Sequence, residues 1–171
     1  MTIRTSILFF LVSALLYAGP VLTFLDPGAS IAGAPGQTVQ WNLRVTNDLD
    51  YILVTNVDYL TLNGIGTFTD LFSPSAPVLG PAEWADGAGQ YLIDSLVPAG
   101  YTSTGSLEVT YNLYSLSPDD PNFDPDTDTL DSNLTVSGNA DVTATPEPST
   151  TWMALAGAGL AALRVRRRTR A

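Results

Sequence analysis

The 171-residue chain contains no cysteine, no histidine and no lysine. Without cysteine no disulfide can form, and without cysteine or histidine the usual zinc and copper ligands are missing. No Ser–His or Cys–His dyad can be assembled, and no lysine is present to form a Schiff base or cradle a phosphate. The same absence excludes the Lys–Asn isopeptide crosslinks that staple some surface domains. Positive charge is confined to a few places. Of seven basic residues, Arg4 lies near the start and Arg164, Arg166, Arg167, Arg168 and Arg170 at the end, which leaves Arg44 for everything between. All 17 acids fall between Asp26 and Glu147, so the body sets one arginine against 17 carboxylates, a net of −16, where the whole chain averages to −10. Such a field repels nucleic-acid phosphates and anionic membrane surfaces, and the expectation is no nucleic-acid partner and membrane contact only through the terminal segments. Carboxylate-pair chemistry of the glycosidase kind stays open on composition alone. A body so small and so poor in cations is not expected to build a catalytic cleft, and the chain reads as a non-enzyme.

Long apolar runs are equally scarce and occur only at the ends. Arg4 precedes Ile7-Leu8-Phe9-Phe10-Leu11-Val12 and Ala14-Leu15-Leu16, a charged n-region and an h-region of signal-peptide length, so residues 1–19 read as a signal peptide. Its cleavage site is open between Leu16-Tyr17-Ala18, followed closely by Pro20, and the later Ser30-Ile31-Ala32. At the other end, Thr145-Pro146-Glu147-Pro148-Ser149-Thr150 leads into an apolar run from Trp152 to Leu163, which stops at Arg164-Val165-Arg166-Arg167-Arg168-Thr169-Arg170. Two prolines around a glutamate fix φ and remove two backbone donors, so the peptide there is extended and unpaired with any sheet, as a processing enzyme requires. As a helix the apolar core spans only about 21 Å against a hydrocarbon thickness near 30 Å, and its Ala- and Gly-rich composition is weakly hydrophobic. The arginines behind it stay cytoplasmic. A transient anchor fits these features better than a permanent one.

This three-part tail resembles the PEP-CTERM sorting signal recognised by exosortase-type transpeptidases of Gram-negative bacteria. The resemblance implies export, an inner-membrane precursor, processing at Pro146, Glu147 and Pro148, and transfer to the cell surface or extracellular polysaccharide. It covers about the last sixth of the chain and carries no activity. The chain thus divides into the signal peptide, a body at 20–144, and a tail at 145–171 with its motif at 145–150, a transmembrane segment at 151–163 and a basic end at 164–171.

The period of the body is two. Val39, Trp41, Leu43 and Val45 alternate with Gln40, Asn42, Arg44 and Thr46, and Leu107, Val109, Tyr111 and Leu113 repeat the pattern. Tyr51 to Val57 is more continuous and suits a strand buried, or nearly buried, on both faces. Weaker strands are expected at 66–71, 90–96, 132–137 and 140–144, separated by breakers that include Asn47-Asp48, Asp86-Gly87 and Ser137-Gly138-Asn139. About seven short strands without helical spacing point to an all-β, antiparallel sandwich of Ig-like type, flanked by a signal helix and a transmembrane helix. The phrase from Pro35 to Asn47, a Pro-Gly turn and an alternating strand ending in Asn, looks like the opening strand of many bacterial Ig-like surface modules. That resemblance bears on fold and hardly on function.

Chemistry is most concentrated between Ser117 and Asp131. Asp124, Asp126 and Asp128 stand at i, i+2 and i+4, the spacing by which calcium loops present oxygens, with Asp131 as a further ligand and Asp119, Asp120 and Asn122 nearby. The glycine that an EF-type loop needs after its third acid is replaced by Thr129, and Pro121 and Pro125 stiffen the segment, so a solvated acidic hairpin loop is the favoured alternative. Trp84 sits among turn-forming residues and either caps the sandwich or stacks on a sugar, the cap being the commoner role, and Tyr101 is a second stacking candidate. The expected function is structural or adhesive, at the surface or in a biofilm exopolysaccharide matrix. The alternative is a calcium-dependent carbohydrate-binding module of that matrix.

Overall fold

A computed structural model describes residues 19–48 and 50–146. The expected signal-peptide run, the expected transmembrane segment, the basic end, and Glu147 and Pro148 of the expected motif all lie outside the described residues. Among the described residues, no helix is long and apolar enough to cross a membrane.

The described residues form nine strands in order: β1 (Val21–Phe24), β2 (Ser30–Gly33), β3 (Thr38–Thr46), β4 (Tyr51–Thr61), β5 (Gly66–Asp70), β6 (Val78–Leu79), β7 (Trp84–Ile93), β8 (Thr102–Tyr114) and β9 (Thr129–Ala144). A 3-10 turn at Ser73–Ser75 and one helical turn, α1 (Pro125–Asp128), complete the elements. One sheet has the order β1-β3-β7-β5 and the other β2-β9-β8-β4-β6. Pairings are antiparallel except for β2, which runs parallel to β9 along the edge. The chain enters on β1 in the first sheet, turns through a cis Asp26–Pro27 bond, and continues as β2 in the second. The arrangement is consistent with an Ig-like sandwich.

Alternation explains the core. Trp41, Leu43 and Val45 of β3 and Leu107, Val109 and Tyr111 of β8 are buried in one cluster from both sheets, with Leu113 packed against it. Arg44 faces the other way, where it pairs with Asp86. The 51–57 run, expected to be buried on both faces or nearly so, is so only in its first half, where Tyr51 and Leu53 are half-buried, while Thr55 and Asn56 are exposed. Ile52 and Val54 point inward, a bulge at Thr55 shifts the phase, and Val57 and Tyr59 continue the inward set. The run reads as continuous because Tyr51 and Leu53, on the opposite face, are apolar and half-buried, and the bulge explains why Val57 rather than Asn56 resumes the inward set.

Asn47-Asp48 does separate two strands, but two other breakers were misleading for a physical reason. Asp86-Gly87 lies inside β7, and 132–137 and 140–144 are one strand, β9, running straight through Gly138. A Cβ at Gly87 would collide with the Phe72 ring, one at Gly89 would sit 2.6 Å from Phe68, and one at Gly138 2.8 Å from Phe24. These glycines are strand positions left bare so that an aromatic ring can lie over the backbone.

The strands define two ends. Trp84, Thr46, Tyr51 and Tyr114 share one, as their pairings require, and the chain enters there at Val21 beside Thr46. Ile93, Gly66, Thr102 and Ala144 share the other, where the chain leaves. Asn47 locks the first end: it is fully buried, and its Nδ2 donates to the carbonyls of Asp50, Leu79 and Gly80 at 2.6–3.1 Å. Near the second, the Tyr59 hydroxyl donates to the Ser103 carbonyl at 3.0 Å, and burial pushes its pKa up.

Candidate functional site

The tail leaves the sheet at a sharply defined point. Ala144 N donates to the Tyr101 carbonyl at 2.8 Å, Gly100 N donates to the Ala144 carbonyl at 2.7 Å, and Thr145 N donates to the Gly33 carbonyl at 2.8 Å. The next residue, Pro146, has no N–H, so the ladder cannot continue through it. Pro146 is exposed at this exit. The first residues of the expected motif therefore coincide with the last backbone bond of the fold.

Trp84 and Tyr101 do not form one surface. Trp84 opens β7 at the chain-entry end, while Tyr101 lies in the β7–β8 loop at the exit. Trp84 is 54% exposed and so does not cap the core. Nor is its ring bare, because the Arg44 guanidinium lies 3.9 Å from the ring centroid. That guanidinium also holds Asp86 through two bonds, Nε to Oδ1 at 2.7 Å and Nη2 to Oδ2 at 2.9 Å. The bonds lower the Asp86 pKa and raise that of Arg44. The body's one cation is thus shared between a ring and a carboxylate. Cross-strand pairing of Arg44 with Asp86 brings the three together, a relation that spacing in the sequence does not reveal.

The acidic segment is organised around its own backbone. The Asp124 side chain caps α1 by accepting from Asp126 N at 3.0 Å, and Pro125 follows at the first helical position, where its missing N–H costs nothing. Asp128 turns back to accept from Asp124 N at 2.8 Å and from the Ser115 hydroxyl at 3.1 Å. Asp131 accepts from Ser132 N at 2.8 Å, beyond the helical turn. Phe123 packs edge-on against Tyr114, centroids 5.2 Å apart, and holds the loop on the sandwich. Among the described residues no group of three or more acids is placed to hold a metal ion. The i, i+2, i+4 aspartates here form a helix cap and its return bond, and the signal for that was legible as Asp-Pro followed by a short polar run.

Residues 144–168 match the family described as the PEP-CTERM protein-sorting motif. The chain therefore carries a tail that implies an exported protein, sorted by an exosortase and destined for the cell surface or exterior. A comparison with curated proteins gives no match. Among solved structures, the body is similar to part of a family 123 glycoside hydrolase from Clostridium perfringens, with 9% identity and a TM-score of 0.44, covering 74% of this chain and 27% of that one. It is also similar to the ASH/PapD-like domain 7 of human CEP192, with 11% identity and a TM-score of 0.43, covering 87% and 99%. WR4, an MSP family member of C. elegans, follows at 9% identity and a TM-score of 0.36, covering 72% and 98%. The chain spans about a quarter of the hydrolase's length.

Proposed function

We propose that this chain is a surface or extracellular-matrix protein whose β domain has a structural or adhesive role, delivered as an inner-membrane precursor and processed at the tail. The observation that carries the reading is the sorting motif at 144–168, which starts where the sheet's backbone pairing stops. The sheet's backbone pairing ends one residue before Pro146, so processing beyond it can proceed without unfolding the sandwich. The same logic favours leader cleavage after Ala18 over a cut after Ala32. A cut after Ala32 would remove β1 and split β2, and it would take away the Ala29 carbonyl that accepts from Trp41 Nε1 at 2.9 Å. The domain is read as non-catalytic, because the chain offers no histidine, cysteine or lysine to activate a nucleophile. Exopolysaccharide is the partner class proposed for the exported form.

Intact mass spectrometry of protein recovered from the cell exterior tests this. Its C-terminus is expected near Pro146-Glu147-Pro148, and Glu147→Ala is expected to hold the uncleaved precursor in the inner membrane. Exterior protein that retains Arg166-Arg167-Arg168 would overturn the sorting reading.

A further inference from the structure

We propose that the exit end of the sandwich is a lipid-facing surface, which docks the precursor's β domain on the bilayer through Leu62, Leu96 and Tyr101. The inference rests on the membrane-held precursor of the preceding section.

Three observations converge on it. First, the most exposed large apolar side chains gather at this end. Leu62 in the β4–β5 turn is fully exposed, Leu96 is 88% exposed, and Tyr101 is 61% exposed, both in the β7–β8 loop. The two loops are stitched into one rim: Asp94 N donates to the Ile65 carbonyl at 2.9 Å, and Asn63 Nδ2 donates to the Thr102 carbonyl at 3.0 Å. Projecting leucines with an adjacent tyrosine match the chemistry of a bilayer interface, where the phenol ring prefers headgroup depth.

Second, acidic charge is denser at the opposite end than at this rim. Among the described residues the acids at the rim are Asp94 and Asp141, the latter in the hollow beside Leu62, and Glu147 follows just past Pro146 in the sequence, whereas residues 47–50 and 115–131, at the opposite end, hold eight of the 17 acids. About half of the carboxylates that would repel an anionic surface therefore stand at the far end of the sandwich, beyond a screening length of about 8 Å at physiological salt. Asp94 itself is turned back to accept from Leu96 N at 2.9 Å.

Third, the tether is short. Between Pro146 and the apolar run at Trp152 lie only residues 147–151, a span that cannot exceed about 21 Å even fully extended. Part of that length is taken up by the headgroup layer. The rim beside Thr145 is therefore held at an effective concentration on the order of millimolar or above at the interface, and a weak affinity suffices to dock it. The far end, with its acidic loop, then points away from the membrane.

The chain's lack of cysteine makes the test direct. Full-length precursor carrying one labelled cysteine, by Leu62→Cys, Leu96→Cys or Tyr101→Cys, is placed in vesicles of phosphatidylethanolamine and phosphatidylglycerol, with Thr127→Cys as the far-end reference. Labels at 62, 96 and 101 are expected to be quenched by nitroxide-bearing lipids and several-fold protected from aqueous iodide, while the label at 127 stays open to iodide. An Ala158→Cys label reports the tail. If 158 is lipid-quenched while 62, 96 and 101 remain open to iodide, the docking inference fails and the membrane-held precursor stands. If 158 itself escapes lipid quenching, the underlying reading fails first. Rim labels shielded from both quenchers would assign the surface to a protein contact, such as a second copy, and would also overturn the proposal.

Discussion

Replacing Trp41 by alanine removes the largest fully buried side chain of the domain. The indole is 0% exposed, lies 5.1 Å from Tyr59, 6.3 Å from Phe68 and 6.2 Å from Tyr91 between centroids, and donates Nε1–H to the Ala29 carbonyl. Losing roughly 200 Å² of buried ring at about 25 cal/mol per Å² amounts to about 5 kcal/mol, an upper value because the unfolded chain already hides some of that surface. Core aromatic truncations elsewhere cost about 3–5 kcal/mol, and the orphaned carbonyl adds about 1 kcal/mol. We take about 4 kcal/mol. With a urea m-value near 2 kcal/mol per M, typical of a small domain, the midpoint should fall by about 2 M. Far-UV circular dichroism is the right probe, since the substitution removes a fluorophore. Trp41→Phe keeps the ring contacts and loses the bond to Ala29, and should cost about 1–2 kcal/mol. A midpoint for Trp41→Ala within about 0.3 M of the parent would refute both the strand register and the core assignment.

Gly105→Ala should lose about 2–3 kcal/mol, because its Cβ would collide with the Leu60 carbonyl and sit 2.9 Å from the Tyr59 ring; Gly19→Ala, with nothing within 4 Å, should leave the melting midpoint unchanged. The Asp86 carboxyl should titrate below the usual aspartate range and return to it in Arg44→Gln, as read by carboxyl carbon chemical shifts. Because its folded pKa is lowered, any stability from this exposed pair is present above the ordinary value near 3.9 and is lost as pH falls through the lowered one. Identical Asp86 titrations in the two proteins would show that the ion pair does not form in solution. Calcium and magnesium at matched ionic strength should raise the thermal midpoint equally, with Asp126→Asn changing nothing. A calcium-specific gain approaching the 2.7 kcal/mol expected at a hundredfold excess over Kd would restore the loop as a metal site.

The parts of this protein that the sequence determines by itself are those governed by local chemistry. Alternation in 39–45 and 107–113 orients Trp41, Leu43, Val109 and Tyr111 toward a core wherever the strands pair, because side chains on a strand have a period of two. The tail is legible for the same reason: Pro146, the apolar run and the arginines act through their own backbone limits and solvation, and residues 144–168 carry the sorting motif without reference to the body. Asp124-Pro125 already encodes a helix start, although acidic spacing suggested a metal loop.

Tertiary structure decided what depends on partners distant in the chain. Gly87 and Gly138 read as turns until Phe72 and Phe24 are laid over them, and the bulge at Thr55 appears only when β4 is paired with β8. Arg44 meets Trp84 and Asp86 across a strand pair that joins residues some 40 positions apart in sequence. The separation of Trp84 from Tyr101, and the gathering of Leu62, Leu96 and Tyr101 at the end where the tail leaves, follow from strand direction and connection. No local rule contains that information, because an end of a sandwich is assembled from loops that the chain visits at widely separated times.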